Sequence, residues 1–380
     1  MRSFFVLFVS VLFPASSFAS DAVPAHTIQV GVALRFAPDL NSFAGSIYQG
    51  IEYAKEIFEA SHPDYAIELI KYPHKNEHGS VDDAAKKIIE DKVKFVIGGE
   101  MSDDAFALAE NFHDHNVLLM TPTASNPLLT AGNPLVFRAC YSDDQVATQM
   151  ARYVSSLDQV HSIGVIHNTS NAYSDYLTNA FLDEYAKAQS HQRSGTRITE
   201  FRYGGDQPDF KNTVEQFKKA SVDLVVAFTL QEHLKSFYLL ASRIGLKPSY
   251  LGSDGWGTTE SIQKWIGPDF RGFRNAYWAE DSKDPKVSTF KNGFEKKNGK
   301  SPDAWNAISY DAAFTLFEAF TRAKDPQPSA AQIAEILRSG VFKNGVTART
   351  LQFNHQNTIL KPLYVYEIQK SGTKLLKEIK

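Results

Sequence analysis

Three loops of the sequence place hydroxyl or carboxylate side chains just after short apolar runs. In the first loop, Ser102 stands five residues beyond the run Phe95-Val96-Ile97, where a helical pattern begins. A serine in this position is typical of an N-cap, which satisfies a free backbone N–H group. The same position offers a hydroxyl and helix N–H groups to an anion. Ser102 is therefore predicted to cap a helix and to be able to hold a ligand carboxylate.

The second loop runs from Thr121 to Pro127 and carries two prolines that restrict its backbone. Thr123 and Ser125 add hydroxyl groups between these prolines. This composition is typical of an ordinary turn. A stiff loop of small hydroxyl residues is also suited to cradling a carboxylate, so both interpretations stay open.

The third loop, Ser253-Asp254-Gly255, follows the run Tyr250-Leu251-Gly252. Asp-Gly is a common turn sequence, and Asp254 by itself indicates little. If its side chain points into a cleft, its carboxylate is a natural partner for a ligand ammonium group. Together the three loops suggest a site for a small zwitterion.

Other potentially reactive side chains fit plainer interpretations. Cys140 is the single cysteine and cannot form an internal disulfide; a buried, small apolar side chain is the expected role. The pair His113 and His115 ends a helical pattern, and we expect surface exposure there, as for His74 and His78 in a charged loop. No third metal ligand accompanies these histidines, so no metal or other cofactor is expected.

Short apolar runs alternate with amphipathic segments through the first part of the chain. Ile47, Ile51, Ala54 and Phe58 recur at helical spacing and predict one buried helix face. The predicted strands are 28–34, 67–72, 95–97 and 117–120, and further helices are predicted at 81–90 and 103–112. This order predicts a parallel sheet covered by helices on both faces.

The alternation then restarts and predicts a second unit of the same kind. Its predicted strands are 162–167, 198–203, 222–228 and 250–252, with helices at 145–157, 174–188 and 209–220 and one that includes Leu234 to Ala241. Beyond residue 285 the patterns predict helices at 287–297, 304–323 and 330–339 and strands at 350–353 and 363–368. The fold class is therefore α/β with two Rossmann-like lobes joined by a hinge.

The two lobes are expected to share the chain in alternation. A signal peptide occupies 1–19, the N-terminal lobe takes 26–143 plus 278–350, and the C-terminal lobe takes 144–277 plus 351–380. Ligands of open α/β sheets bind beyond the carboxyl ends of the strands. Two facing sheets thus predict a cleft lined by the loops described above.

The N-terminal residues and the overall charge limit the classes of function. Arg2, an apolar run from Phe4 to Phe13 and the small residues of Ser17-Phe18-Ala19 have the layout of a secretory signal peptide, although its cleavage site is not fixed to the residue. The protein is therefore expected in the periplasm. Its net charge of −3 gives no basis for nucleic-acid binding.

The loop sequences resemble those of type I periplasmic binding proteins, in particular the branched-chain amino-acid-binding family of ABC transporters. The resemblance rests on five stretches that occur in the family's order over nearly the whole mature chain. They are Phe95 to Gly99 followed by Ser102, Leu119 to Pro127, Phe137-Arg138 followed by Asp143-Asp144-Gln145, Asp209-Phe210, and Gly252 to Gly255.

This resemblance implies a role for individual residues. Ser102 and Ser125 would bind a ligand carboxylate, the carbonyl of Thr123 would accept from the ligand ammonium, and Asp254 would pair with that ammonium. Tyr173 matches the second-lobe tyrosine that closes over the ligand, and Phe43 matches an aromatic residue near the first helix. The implied function is solute binding for an ABC transporter permease in the inner membrane, by a monomer without enzymatic activity.

The sequence also departs from the family pattern. Leu230 or Phe228 stands where the family often has a second tyrosine, Ser125 replaces a threonine and Asp254 a longer glutamate. His74 stands where acidic residues are usual, and the family's disulfide is absent. The anchors for an α-amino acid are thus retained in type, whereas leucine-like specificity is not implied.

Three other functions stay open at this level. The protein could sense a ligand for a membrane receptor, or bind a solute such as an amide, urea or an aromatic acid. An enzyme on the same two-lobed fold is the third alternative, and no motif of the sequence supports it.

Overall fold

The computed structural model describes residues 25–37, 42–75, 78–190, 195–205, 208–257, 262–264, 266–276, 278–279, 282–343, 345–370 and 372–379. The predicted signal peptide, 1–19, lies outside these residues. Within them, no helix combines the length and apolar character that crossing a bilayer requires.

The first sheet is fully parallel, with the order β2-β1-β3-β4-β5. Its strands are β1 (His26–Leu34), β2 (Tyr65–Pro73), β3 (Phe95–Gly98), β4 (Leu118–Thr121) and β5 (Val136–Arg138), and the helices between them are α1 (Phe43–Ser61), α2 (Val81–Glu90) and α3 (Ser102–Phe112). The four predicted strands and three predicted helices of this unit are confirmed. β5 was not predicted, because three residues carry too little pattern to stand out.

The second sheet has seven strands in the order β12-β11-β10-β9-β8-β6-β7. Its elements are α4 (Asp143–Ser155), β6 (Ser162–Asn168), α5 (Ala172–Gln189), β7 (Arg197–Tyr203), α6 (Lys211–Lys219), β8 (Leu224–Val226), α7 (Gln231–Arg243), β9 (Ser249–Gly252), β10 (Gly272–Ala276), β11 (Leu363–Gln369) and β12 (Gly372–Ile379). The sheet is parallel except at β11, which pairs antiparallel with both of its neighbours. The two α/β lobes with mostly parallel sheets are therefore confirmed.

The C-terminal helices return to the first lobe. They are α8 (Pro285–Asn298), α9 (Ala304–Arg322) and α10 (Ala330–Ser339). The ring of Tyr53 in α1 contacts Phe290 and Phe294 of α8 and Tyr310 of α9. The predicted inner face of α1 is confirmed, because its four apolar residues are fully buried.

The segment between α10 and β11 does not form the strand predicted at 350–353. It makes isolated bridges instead, between Phe342 and Leu351, Phe353 and Ile359, and Arg138 and Thr358. The last of these bridges joins the segment to β5 of the first sheet, whereas β11 and β12 lie in the second sheet. The assignment of 351–380 to the C-terminal lobe stays a prediction.

Candidate ligand-binding site between the lobes

A cavity of about 1010 Å³ lies between the two sheets, beyond the carboxyl ends of their parallel strands. The loops that follow β1, β3 and β4 form one wall, and those that follow β6, β8 and β9 form the other. In both sheets the strand order reverses here, between β1 and β3 and between β6 and β8. Open α/β sheets bind ligands at such switch points.

All six predicted site residues line this one cavity. They are Phe43, Ser102, Thr123, Ser125, Tyr173 and Asp254. They come from five separate strand or helix ends, so the parallel topology is what brings them together. Whether they bind a ligand is a proposal, which we develop below.

Ser102 does not cap α3 as its sequence position predicted. The N-cap residue is Met101, which makes no side-chain cap bond, and Ser102 is the first residue of the helix. The Ser102 Oγ atom is buried and has no hydrogen-bond partner among the described residues. An unsatisfied buried hydroxyl at a helix N-terminus is a favourable place for a ligand anion.

The two first-lobe loops are fastened to each other below the cavity. The Thr123 hydroxyl donates to the Glu100 carbonyl at 2.8 Å, and the Thr121 hydroxyl donates to the Gly99 carbonyl at 2.8 Å. The Ser125 carbonyl accepts from the Asp143 N–H at 2.9 Å. The side chain of Thr123 therefore has a structural role. The resemblance implies a ligand contact only for its backbone carbonyl group.

The opposite wall presents Asp254 and Tyr173. Asp254 begins a short 3₁₀ turn, and one of its carboxylate oxygens accepts from the Asn275 side chain at 3.3 Å. The Tyr173 hydroxyl bonds with the Ser253 side chain. Burial, and then the nearby Asp254 charge, raises the pKa of Tyr173 well above its usual value, so this hydroxyl stays neutral.

Asp143, at the start of α4, is a further carboxyl group beside this site. It is fully buried, and neither carboxyl oxygen has a partner among the described residues. Burial raises the pKa of Asp143 to about 8. Near neutral pH it therefore carries a proton for much of the time.

Aromatic rings line part of the cavity. Phe43 packs against Trp305 with ring centroids 4.6 Å apart, and both residues line the cavity. Trp278 also lines it and lies under the Lys291 ammonium group at 5.0 Å. Neither tryptophan was predicted. Trp278 follows β10, which the sequence did not reveal, and Trp305 reaches the cavity because its helix packs against α1, a tertiary contact that local pattern does not show.

Arg35 and Glu100 were missed as cavity residues, although the strand-end rule points to both. Arg35 follows β1 directly, and Glu100 lies two residues beyond β3. His74, expected on the surface, is fully buried at the end of β2. This expectation was wrong because the order β2-β1-β3 places His74 beside the other two strand ends. His113, His115 and His78 are exposed, as predicted.

His74, Glu100 and Asp104 form the one group among the described residues that brings three potential metal ligands within 4.8 Å of one another. Both oxygens of Asp104 accept hydrogen bonds from the Arg35 guanidinium group. The Arg35 guanidinium group therefore supplies the positive charge that balances the Asp104 carboxylate. Burial raises the pKa of Glu100 to about 7 and lowers that of His74.

The lobes also touch each other at one edge of the cavity. The Asn171 side chain donates to Asp103 at 2.9 Å, and the Ala172 N–H donates to the same carboxylate at 3.2 Å. Asn126 of the first lobe donates to the Ala172 carbonyl at 3.0 Å. These hydrogen bonds connect the N-terminus of α3 to the N-terminus of α5 across the cleft.

Cys140 is fully buried, as the sequence predicted. Its Sγ atom approaches the Ala124 carbonyl at 3.6 Å. Burial raises the pKa of this thiol far above its ordinary value, so it is not a nucleophile at neutral pH.

Comparison with known proteins agrees with this architecture. Residues 27–373 match the periplasmic binding protein family. The leucine-, isoleucine-, valine-, threonine- and alanine-binding protein of Pseudomonas aeruginosa is 23% identical, over 94% of each chain. The Leu/Ile/Val-binding protein homolog 3 of Brucella melitensis is 29% identical, over 90% of this chain and 85% of its own.

Among solved structures, the fold is similar to that of the leucine binding protein LivK from Thermotoga maritima. The two superimpose with a TM-score of 0.82 at 22% identity, over 93% of this chain and 99% of the other. Fold, sequence match and the placement of the cavity thus agree: the chain belongs to the periplasmic binding protein family and has its type I fold.

Proposed function

We propose that this protein binds an amino acid or a close derivative in the cavity between its lobes, outside the cytoplasm, and delivers it to an ABC transporter permease in the inner membrane. The observation that carries the proposal is the buried Ser102 hydroxyl at the N-terminus of α3. It has no partner among the described residues and lines the cavity opposite the Asp254 carboxylate. The two groups suit the two charges of a zwitterion.

In the proposed binding mode the first lobe holds the ligand carboxylate. Ser102 and Ser125 donate hydroxyl hydrogen bonds to it, aided by the N–H groups at the start of α3. The Thr123 carbonyl and the Asp254 carboxylate accept from the ammonium group. Phe43 and Tyr173 cover the ligand from the two sides, and the lobes close by a hinge motion.

Closure is favoured only if the ligand interacts better with the closed lobes than with the open ones. The pair between Asp254 and the ammonium is the contact that differs most, because it joins the second lobe to a ligand held by the first. Removing the Asp254 carboxylate from such a pair in a water-excluded site weakens the binding free energy by about 2–5 kcal/mol. This corresponds to at least about a 30-fold loss of affinity.

The test is calorimetry with the mature protein and a panel of amino acids. We expect at least one of them to bind, and Asp254→Ala to weaken that binding at least about 30-fold while the melting temperature without ligand is unchanged. Asp269→Ala is the matched control, because this aspartate lies on the same lobe with its side chain 80% exposed. Equal affinity of the Asp254 variant and the wild type would refute the assignment.

Delivery to a permease and sensing for a receptor use the same closed form. Family membership favours the first, since the described relatives are named as amino-acid-binding proteins. Co-purification of the ligand-loaded protein with its membrane partner identifies which of the two it is. We propose that the protein acts as a monomer and without a cofactor, which sedimentation and elemental analysis of the purified protein check.

A further inference from the structure

Arg35 is a cation built into the first-lobe wall of the cavity. Its Nε and Nη2 atoms donate to the two oxygens of Asp104, at 2.5 and 2.8 Å, in a paired geometry. Its backbone N–H donates to Glu100 at 2.6 Å. Asp104 is almost fully buried, so the guanidinium plane is held from below by a fixed carboxylate.

The outer part of the guanidinium is available for further contacts. The Arg35 side chain is 36% exposed and lines the cavity. Its Nη1 atom makes no hydrogen bond with any residue that the structure describes. Because two of its nitrogens are already fixed, little side-chain entropy is lost when Nη1 binds an acceptor.

The charge of Arg35 is balanced by its neighbours. The Asp104 carboxylate lies against it, and the Glu100 carboxyl group is next to both. Lys75 lies on the far side, with its ammonium 3.9 Å from Asp104, and does not line the cavity. A donor that is neutralised in this way suits an uncharged carbonyl oxygen as well as a carboxylate.

Arg35 is also close to the proposed carboxylate anchor. Glu100, which holds its backbone, is two residues from Ser102. Three lysines (264, 291 and 300) line the cavity too. Lys291 lies over the Trp278 ring.

We infer that Arg35 determines specificity by donating from Nη1 to an oxygen at the end of the ligand's side chain. The inference rests on the proposed function of amino-acid binding. The preferred ligands are then amino acids that end in a carboxamide or a carboxylate. Aliphatic side chains of the same size leave Nη1 desolvated and unpaired, and they bind more weakly.

The experiment compares ligands of matched size by calorimetry. Asparagine is paired with leucine and glutamine with methionine, and aspartate and glutamate form a third arm. We expect the oxygen-bearing member of each pair to bind at least about tenfold more tightly to the wild type. The third arm separates a carboxamide from a carboxylate preference, and either outcome supports the role of Arg35.

Arg35→Met keeps the length of the side chain and removes its N–H donors. Because it leaves Asp104 buried without a partner, the double variant Arg35→Met/Asp104→Leu is made alongside it. In both, the ratio of affinities within each pair should fall to about one. Lys75→Met is the control, because it removes a cation at the same carboxylate without touching the cavity, and it should retain the ratio.

Three results overturn the inference and leave the proposed function standing. The first is a wild type that binds leucine or methionine as tightly as its amide counterpart. The second is an unchanged ratio of affinities in the Arg35 variants, and the third is an equal loss of that ratio in Lys75→Met. If no amino acid binds at all, the proposed function itself fails.

Discussion

At the residue scale, the notable feature is a pair of unsatisfied oxygens on one short stretch of chain. Glu100 and Ser102 each bury an oxygen that has no partner among the described residues. Such atoms are rare in folded proteins because each forfeits its hydrogen bond with water. Both residues line the cavity, so the stability lost here is compensated when a ligand supplies the missing contacts.

Glu100 predicts a pH dependence of stability. Its pKa is about 7 in the folded protein because of burial, against an ordinary 4.5. A carboxyl group whose pKa is raised by folding keeps a proton that the unfolded chain releases, so the free energy of unfolding falls as pH rises from 4.5 to about 7. Glu100→Gln removes this loss and should be more stable than wild type at pH 8 by up to about 3 kcal/mol.

Chemical denaturation at pH 5 and pH 8 measures this difference. Gln retains a carbonyl oxygen that can accept from the Arg35 N–H. Glu110→Gln, an exposed change in the helix that follows Glu100 (α3), is the control. A constant offset between Glu100→Gln and wild type at both pH values would contradict the prediction.

At the element scale, helices α1 and α9 approach each other closely in the first lobe. A Cβ atom on Gly50 would lie 2.4 Å from the Asn306 carbonyl oxygen and 2.2 Å from Ser309 Oγ. The Asn306 side chain also donates to the Ser46 carbonyl at 2.6 Å. Glycine is required at this crossing because the neighbouring atom is backbone and cannot move aside.

Gly50→Ala should therefore lower the free energy of unfolding. Overpacking costs about 1–3 kcal/mol, and the better helix propensity of alanine returns about 1 kcal/mol at most. Gly195→Ala makes the same chemical change where nothing lies within 4 Å, and it should be neutral. Urea denaturation of both variants is the measurement, and equal stabilities would exclude the close crossing.

At the scale of the whole molecule, the lobes are joined by hydrogen bonds that exist only when they are close together. Asp103 is central to this contact, because its carboxylate accepts from both Asn171 and the Ala172 N–H. The contact lies beside the cavity without needing a ligand. In the proposed hinge mechanism, it therefore stabilises the closed form of the unliganded protein.

Asp103→Ala should shift the unliganded protein toward open forms. Ligand affinity then falls by the factor by which the closed population falls, several-fold for the loss of two hydrogen bonds. Faster ligand dissociation in stopped-flow measurements and a larger radius of gyration in X-ray scattering check this. Asp114→Ala is an exposed control, and unchanged kinetics in Asp103→Ala would show that the contact does not stabilise closure.

The sequence was most informative about helices. Helix α2 has the predicted bounds, because Ser80 forms a capping box with Asp83 and the apolar spacing ends at Glu90. Strands β5, β10 and β12 were missed. β10, for example, carries Arg274 and Asn275, which tertiary contacts bury. Whether a polar side chain is buried depends on partners elsewhere in the chain. The local pattern of apolar and polar residues carries no information about these partners.

The two α/β units, and the hydroxyl and carboxylate loops at their strand ends, could be predicted from the amino-acid sequence, since apolar periodicity and loop composition are local properties. The meeting of His74, Arg35 and Glu100 depends on the folded chain. They follow β2, β1 and β3, which are distant along the chain but adjacent in the sheet. Strand order is set by how helices pack across a sheet, and that order made a strand-end arginine part of the cavity wall.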